Sequence, residues 1–104
     1  KSTGREYFNL PWLARSLPAT PPPEPACVQA TLRALTAQTI ARALVRWCGS
    51  VDRVIVCGGG RHNGALMDDL RALIDRPVEA AEDHGADGDS VEAAAFAWLA
   101  SRAL

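Results

Sequence analysis

The apolar positions of the chain switch between helical spacing and one short continuous run, which predicts a mixed α/β fold. Residues 26–48 carry apolar side chains at three- and four-residue steps, the pattern of an amphipathic helix, and Gly49 would end it as a left-handed cap. Residues 51–57 are predicted to form the first strand, and the continuous apolar run at 54–57 is typical of a parallel strand covered on both faces. The predicted inward side chains of the helix are Val28, Leu32, Leu35, Thr39, Ala43 and Trp47, with Ile40 and Leu44 beside them.

The second half of the chain predicts a helix, a strand and a final helix. A helix is expected over residues 63–74, a short strand over 77–81, and a polar loop over 82–88. Asp89 would cap the last helix, 90–103. The inward side chains would be Leu66, Met67, Leu70, Leu73 and Ile74 in the first helix, and Val91, Ala94, Ala95, Trp98 and Leu99 in the last.

The order helix–strand–helix–strand–helix places two loops together. A strand–helix–strand unit pairs its strands in parallel, so both strands end at the same edge of the sheet. Ligands of such sheets bind beyond that edge. Loops 58–62 and 82–88 are therefore expected to line one crevice.

Two segments precede this α/β part, which is assigned to residues 26–104. Residues 1–17 read as a loop followed by a short anchoring helix, which Asn9 caps and which has Pro11 in its first turn. Residues 18–25 contain five prolines and form a stiff connector. The anchoring helix would bury Phe8, Trp12, Leu13 and Leu17.

Composition narrows the class of protein. The chain has 104 residues, a net charge of −1 and no run of Lys or Arg, which argues against a nucleic-acid or membrane-surface role. No apolar stretch approaches the roughly 20 residues that span a bilayer. Two of the three cysteines lie in apolar helix or strand contexts, which predicts buried, reduced thiols and a cytoplasmic protein.

A strand as apolar as residues 54–57 needs a neighbouring strand on each side, and only two strands are predicted. A two-stranded sheet is marginal by itself. We therefore expect the chain to be the C-terminal part of a larger α/β domain that needs the N-terminal part of the same protein, with pairing to a second copy as the alternative.

Three consecutive glycines follow the first strand. Gly58, Gly59 and Gly60 would let a phosphate or sugar approach the backbone closely, beside a helix start. A dinucleotide-binding module would use Gly58, Gly60 and Glu79, but Asn63 stands where its third glycine belongs. A tight turn that binds nothing is the alternative, but one glycine would suffice for it, so three in a row favour a ligand.

The run Val54–Asn63 resembles the adenosine motif of the sugar kinase/Hsp70/actin superfamily. Three further blocks, in the same order, are similar to the C-terminal part of anhydro-N-acetylmuramic acid kinase. They are Lys1–Glu6 with Phe8–Leu10, Val28–Leu32 with Leu35–Ala37, and Asp87–Asp89 with Glu92, Ala93 and Ala95–Ala100.

The resemblance implies a lobe of ribonuclease-H type, as in actin-like ATPases, with ATP in a cleft. The family uses ATP, Mg²⁺ and water to open the 1,6-anhydro ring of the amino sugar and phosphorylate it to N-acetylmuramic acid 6-phosphate, in peptidoglycan recycling. Its catalytic aspartate and phosphate loop are expected upstream. No catalytic or metal-binding residue is therefore assigned here, and the chain alone is expected to be inactive.

The resemblance also assigns site residues. Gly58, Gly59 and Gly60 would lie under the adenosine, with Asn63 beginning the helix behind them. Glu92 matches an acidic residue near the sugar, but Asp89 and Glu92 also fit a capping box.

Other polar residues near the crevice have plainer interpretations. Asp87 and Asp89 suggest a cation site, although a helix cap is the simpler role for Asp89. His62 and His84 read as exposed loop residues, and Arg61 is a candidate phosphate contact. The loop Lys1–Glu6 has no assigned role. A non-catalytic interaction domain is a further alternative.

Overall fold

The computed structural model describes residue 4 and residues 6–103, in two compact units, Lys1–Leu32 and Arg33–Leu104. Most of the predicted Lys1–Glu6 loop therefore lies outside the described residues. Within them, four α-helices and two parallel strands form an α/β fold. The predicted order of helix, strand, helix, strand and helix is confirmed for the part of the chain after the connector.

The first unit contains helix α1, Leu10–Ser16, which begins where the sequence predicts. Asn9 caps it, because its Oδ1 accepts the Trp12 N–H at 3.0 Å. Phe8 contacts the ring of Trp12 edge-to-face with centroids 5.0 Å apart, yet its own side chain is 49% exposed. Burial of Phe8 is thus wrong, whereas Trp12 is half-buried, as are Leu13 and Leu17.

Helix α2, Pro25–Ala43, continues as a π-helical segment, Leu44–Cys48. Its first residue is Pro25, a position where the missing N–H costs nothing, so the connector is one residue shorter than predicted. Gly49 follows with φ of 62° and ψ of −134°, so the helix ends as expected but not in the left-handed helical conformation.

The sheet consists of β1, Val54–Val56, and β2, Val78–Ala80, both shorter than predicted. Val54 is aligned with Val78 and Val56 with Ala80 in parallel register. Helix α3, Gly64–Leu73, connects the two strands, and helix α4, Val91–Ala103, closes the chain.

The core of the second unit lies on one face of this sheet. It joins one residue of α2, two of α3 and one of β2, namely Ala37, Met67, Leu70 and Val78, with Val54, Val56, Leu66 and Ile74 packed around them. Ile55 points away from this core and is 48% exposed. Coverage of β1 on both faces is therefore not found among the described residues.

Several predicted inward faces are wrong. In the second unit Ala37 of α2 is buried and Ala34, Ala41 and Leu44 are half-buried, Leu44 as predicted, whereas Leu35, Thr39, Ile40, Ala43 and Trp47 are exposed. Ala37 is the residue of α2 that joins the core cluster with Met67, Leu70 and Val78. In α4 only Val91 is half-buried, and Ala94, Ala95, Trp98 and Leu99 are exposed, as is Leu73 in α3.

The cysteine prediction is also wrong in one respect. Cys27, Cys48 and Cys57 are free thiols, as expected, but all three are exposed rather than buried. Among the described helices, none is both long and apolar enough to cross a membrane.

Candidate functional site

The glycine turn directly follows β1. Gly58 has φ of 73° and ψ of −179°, a conformation that residues with a Cβ rarely adopt. Residues Gly59–His62 then form a single 3₁₀ turn, in which the Arg61 N–H donates to Gly58 O at 3.3 Å. This turn carries the chain from the strand edge to the start of α3.

The first two glycines border open space. A Cβ built on Gly58 or Gly59 would meet no atom within 4 Å, whereas one on Gly60 would lie 3.6 Å from Leu66 Cδ2. No neighbouring side chain therefore covers the position of a Cβ at Gly58 or Gly59.

Asn63 caps α3, which begins at Gly64, one residue after the predicted start. Its Oδ1 accepts the Leu66 N–H at 3.1 Å, and its own N–H donates to Gly60 O at 3.1 Å. Asn63 thus fixes the direction in which the helix leaves the turn.

The two predicted crevice loops do lie together. The Gly58 N–H donates to Gly88 O at 2.9 Å, which ties the glycine turn to the segment before α4. Residues Ala81–His84 at the start of the second loop form a 3₁₀ turn that ends at Gly85. The carboxyl edge of the sheet is therefore the one place where both loops meet.

Arg61 joins these loops through its side chain, which is only 5% exposed. Nε donates to Glu82 Oε1 at 2.6 Å, and one terminal nitrogen donates to Asp89 Oδ1 at 2.7 Å. The same nitrogen donates to Gly58 O at 2.8 Å. We call Arg61, Glu82, Asp89 and the Gly58 carbonyl the arginine cluster.

Gly88 completes the surroundings of Arg61. It is buried, and its N–H donates to Glu82 Oε1 at 3.2 Å. A Cβ at Gly88 would lie 2.6 Å from Arg61 Nε, closer than real Cβ atoms approach other atoms. The guanidinium therefore lies in space that only glycine leaves empty.

The cluster shifts the pKa values of its members. The hydrogen bond with Asp89 raises the pKa of Arg61 above its ordinary value, and the same bond lowers the pKa of the Asp89 carboxyl. The pKa of Glu82 is lowered by its own backbone N–H first and by Arg61 next. All three groups therefore stay charged at neutral pH, and Arg61 is engaged by carboxylates rather than placed as a phosphate contact.

The start of α4 differs from the predicted capping box. The Asp89 N–H donates to Asp87 Oδ1 at 3.1 Å, and the Ser90 hydroxyl donates to Asp87 Oδ2 at 2.6 Å. These bonds, Ser90 first, lower the pKa of Asp87. Asp87 thus orders the helix start, the Asp89 carboxylate contacts Arg61, and Glu92 is an exposed residue of the first turn.

Other polar candidates pair with each other. His84 Nε2 lies 2.7 Å from Glu79 Oε2, and Arg53 lies 3.7 Å from the same oxygen. Glu79 therefore does not present an unengaged carboxylate to a ribose. His62 is exposed, as expected, and no cluster of three metal-ligating side chains occurs within residues 6–103.

Sequence reasoning missed the arginine cluster. From the sequence, Arg61 is a candidate phosphate contact, and Glu82 and Gly88 have no predicted role. One signal was available, namely an arginine directly after the glycines and four acids in or next to the facing loop, at positions 82, 83, 87 and 89.

Comparison with known proteins agrees with the resemblance of the sequence blocks. The family model described as anhydro-N-acetylmuramic acid kinase matches residues 1–104. Curated relatives with that name include proteins of Bordetella pertussis, 48% identical over 106 residues, and Xylella fastidiosa, 49% identical over 105 residues. These alignments cover 100% of this chain.

A third relative with the same name, from Pseudomonas fluorescens, is 50% identical over 101 residues and matches 96% of this chain. The chain spans only about 28% of the length of these relatives. Because the family model covers every residue of it, the chain belongs to the anhydro-N-acetylmuramic acid kinase family.

Proposed function

We propose that this chain is part of a kinase that opens the 1,6-anhydro ring of anhydro-N-acetylmuramic acid with water and phosphorylates the sugar with ATP. The balanced reaction consumes one water and one ATP, and yields N-acetylmuramic acid 6-phosphate, ADP and a proton. In this proposal the protein acts in peptidoglycan recycling in the cytoplasm, and the catalytic aspartate lies in a part of the protein before this chain.

One observation carries the assignment of this chain's role. Gly58 and Gly59 border open space at the carboxyl edge of the sheet, in a chain of this kinase family. Nucleotides bind at this edge in open α/β sheets, where backbone without side chains permits close approach. We assign Gly58, Gly59 and Gly60 to the wall under the adenosine, and Asn63 to the helix start behind it.

The fold supports the same assignment at a coarser level. A parallel pair of strands with connecting helix α3 is compatible with part of an actin-like, ribonuclease-H-type lobe. We infer that residues 26–104 form the C-terminal α/β part of the second such lobe, and that this chain alone does not catalyse.

Glu92 is the proposed sugar contact of this chain. Its competing role was to accept the Asp89 N–H, and that N–H donates to Asp87 instead. The exposed carboxylate lies in the first turn of α4, beside the loop that Gly58 contacts. It is therefore available to hydrogen-bond a sugar hydroxyl.

Magnesium is proposed as a partner of the ATP phosphates rather than of this chain. Both carboxylate oxygens of Asp87 and the Oδ1 of Asp89 accept hydrogen bonds, from Ser90, the Asp89 N–H and Arg61, so three of the four oxygens are already engaged. Mg²⁺ commonly keeps several waters and binds substrate phosphates with one or two carboxylates. We place those carboxylates in the remainder of the protein.

The decisive experiment supplies the full-length protein with ATP, Mg²⁺ and anhydro-N-acetylmuramic acid. We expect one ADP and one new reducing sugar end per phosphorylated product, because the anhydro ring masks the reducing end until water opens it. NAD in place of ATP is the control and should bind no more than weakly. Absence of ATP-dependent phosphorylation with a confirmed folded protein would refute the proposal.

A further inference from the structure

We propose that Arg61 is a positioning residue, which holds the glycine turn against the loop before α4 so that both sides of the crevice keep one geometry. The ligand's identity as a nucleotide rests on the proposed function. The positioning itself rests on the contacts of the arginine cluster.

Arg61 reaches three separate points of the chain. It contacts the carbonyl of Gly58 in its own turn, Glu82 after β2, and Asp89 before α4. The two carboxylates lie 21 and 28 residues away in sequence. The side chain therefore acts as a cross-link between segments that the backbone also joins through the Gly58–Gly88 hydrogen bond.

The charges argue against direct contact of Arg61 with a phosphate. Its one positive charge faces two carboxylates at 2.6 and 2.7 Å, so the cluster as a whole carries negative charge. Its side chain is 5% exposed, which leaves little surface for a ligand. An anion would have to displace at least one of the carboxylates to bind here.

The geometry requires a planar fork rather than any cation. Nε and a terminal nitrogen of one guanidinium donate in different directions to Glu82 and Asp89. Lysine offers a single ammonium at the end of a flexible chain and cannot reproduce both bonds in this geometry. Arg61→Lys is therefore expected to keep the charge and lose the positioning.

Gly88 provides a second way to disturb Arg61 without touching the glycine turn. A methyl group there would collide with Nε, Cδ and Cζ of Arg61, at 2.6, 2.9 and 2.9 Å. Gly88 is not among the glycines with positive φ, so alanine meets no backbone strain at this position. Gly88→Ala should displace the guanidinium, and the effect should vanish once Arg61→Ala has removed it.

The kinetic test uses the full-length protein with these variants singly and combined. We expect Arg61→Ala, Arg61→Lys and Gly88→Ala to raise the KM for ATP by about tenfold, since small misplacement of a binding wall is costly. The kcat at saturating ATP should change much less, as for loss of uniform binding. Gly88→Ala should add little to Arg61→Ala. Equal effects of Gly88→Ala in both backgrounds would overturn the proposal.

A second readout does not need activity. In the nucleotide-free protein, Arg61→Ala and Arg61→Lys should speed hydrogen exchange at the Gly58 and Arg61 amides, whose acceptors are in the linked loop and turn. Amides in the middle of α3 should be unaffected. Unchanged exchange at Gly58 would overturn the positioning role, whether or not the protein turns over ATP.

Arg33→Ala is the matched control. Arg33 Nε donates to Asp69 Oδ2 at 2.6 Å, the same distance as in the arginine cluster, but between α2 and α3. Its loss should change neither the KM for ATP nor exchange at Gly58. A comparable rise in KM with Arg33→Ala would mean that general destabilisation, and not positioning, explains the effect of Arg61.

Discussion

Gly58 and Gly88 lack side chains for different physical reasons. Gly58 needs the freedom of glycine because its φ is 73° and its ψ is −179°, although space around it is open. Gly88 has an ordinary φ and needs glycine because Arg61 occupies the place of a Cβ. Only the first of these reasons is visible in sequence, where a run of glycines after a strand indicates a tight turn.

A comparison of Gly58→Ala with Gly59→Ala separates backbone strain from ligand access. Gly58→Ala should destabilise the turn by about 1–3 kcal/mol, the usual cost of such a conformation for a residue with a Cβ. An alanine at position 59 would have no strained backbone and no neighbouring atom within 4 Å, so the Gly59→Ala variant should keep its stability. The added methyl group should hinder binding of the proposed nucleotide. Thermal unfolding and ATP titration of the full-length variants measure the two effects. Equal melting temperatures of the Gly58→Ala and Gly59→Ala variants would contradict the assignment of backbone strain to Gly58.

Glu92→Gln tests whether the charge at the start of α4 acts on the sugar. Because the Asp89 N–H is bonded to Asp87, Glu92 is not required for the cap. The variant should therefore change unfolding by at most a few tenths of a kcal/mol, as for ordinary surface substitutions. Turnover of the anhydro sugar by the full-length protein should fall. Full activity in this variant would remove Glu92 from the proposed site.

At the level of elements, helix starts can be predicted from neighbouring residues in the sequence, whereas the buried face of a helix cannot. The sequence predicts Asn9 as a helix cap and places a helix start at Asn63, and both side chains accept the N–H three positions ahead, because capping involves only residues close in sequence. The predicted inward faces are only partly confirmed, since Val28, Leu32, Leu44 and Val91 are half-buried and the other predicted inward residues of α2, its π-helical extension and α4 are exposed. Periodicity shows that a face is apolar, but which face is covered depends on neighbours far away in sequence, and Trp47 and Trp98 are 75% and 58% exposed here.

The cap of α3 offers a test at this scale. Asn63→Ala should weaken the first turn of α3 by about 0.5–2 kcal/mol, whereas Asn63→Asp keeps an acceptor oxygen and suits the positive end of the helix dipole. Hydrogen exchange at the Leu66 and Met67 amides reports this opening. Asn9→Ala is the matched control, since it removes the same kind of bond from α1. Equal exchange in the Ala and Asp variants would refute the capping role.

At the scale of the whole molecule, the arginine cluster is the feature that the sequence does not predict. Its charged residues lie in or beside the two loops that the sequence places at one edge, yet its ion pairs span 21 and 28 residues. The meeting of loops 58–62 and 82–88 follows from parallel strands and is predicted correctly. Which side chains pair between these loops depends on distances of a few ångströms. The spacing of residues in the sequence does not determine such distances.

Acid sensitivity should report the cluster in the intact protein. The pKa values of Glu82 and Asp89 are lowered in the folded state, so their contribution to stability is full above the ordinary values of 4.5 and 3.8. It is lost as the pH falls through the lower folded-state values. Arg61→Ala should flatten this part of the profile of melting temperature against pH. Parallel profiles of the wild type and the variant would show that the carboxylates gain nothing from Arg61.

The hydrogen bonds of the glycine turn have a consequence for ligand selectivity. The N–H groups of Gly58, Arg61 and Asn63 donate to Gly88, Gly58 and Gly60, and are thus consumed within the protein. At these three positions the turn offers no unengaged N–H to an anion, so selectivity there depends on the shape of the ligand. Contacts with this wall should accordingly contribute the same binding free energy to adenosine and to its mono-, di- and triphosphates. That contribution should not depend on ionic strength. An inhibitor directed at it would gain more from a flat, close-fitting ring than from added negative charge.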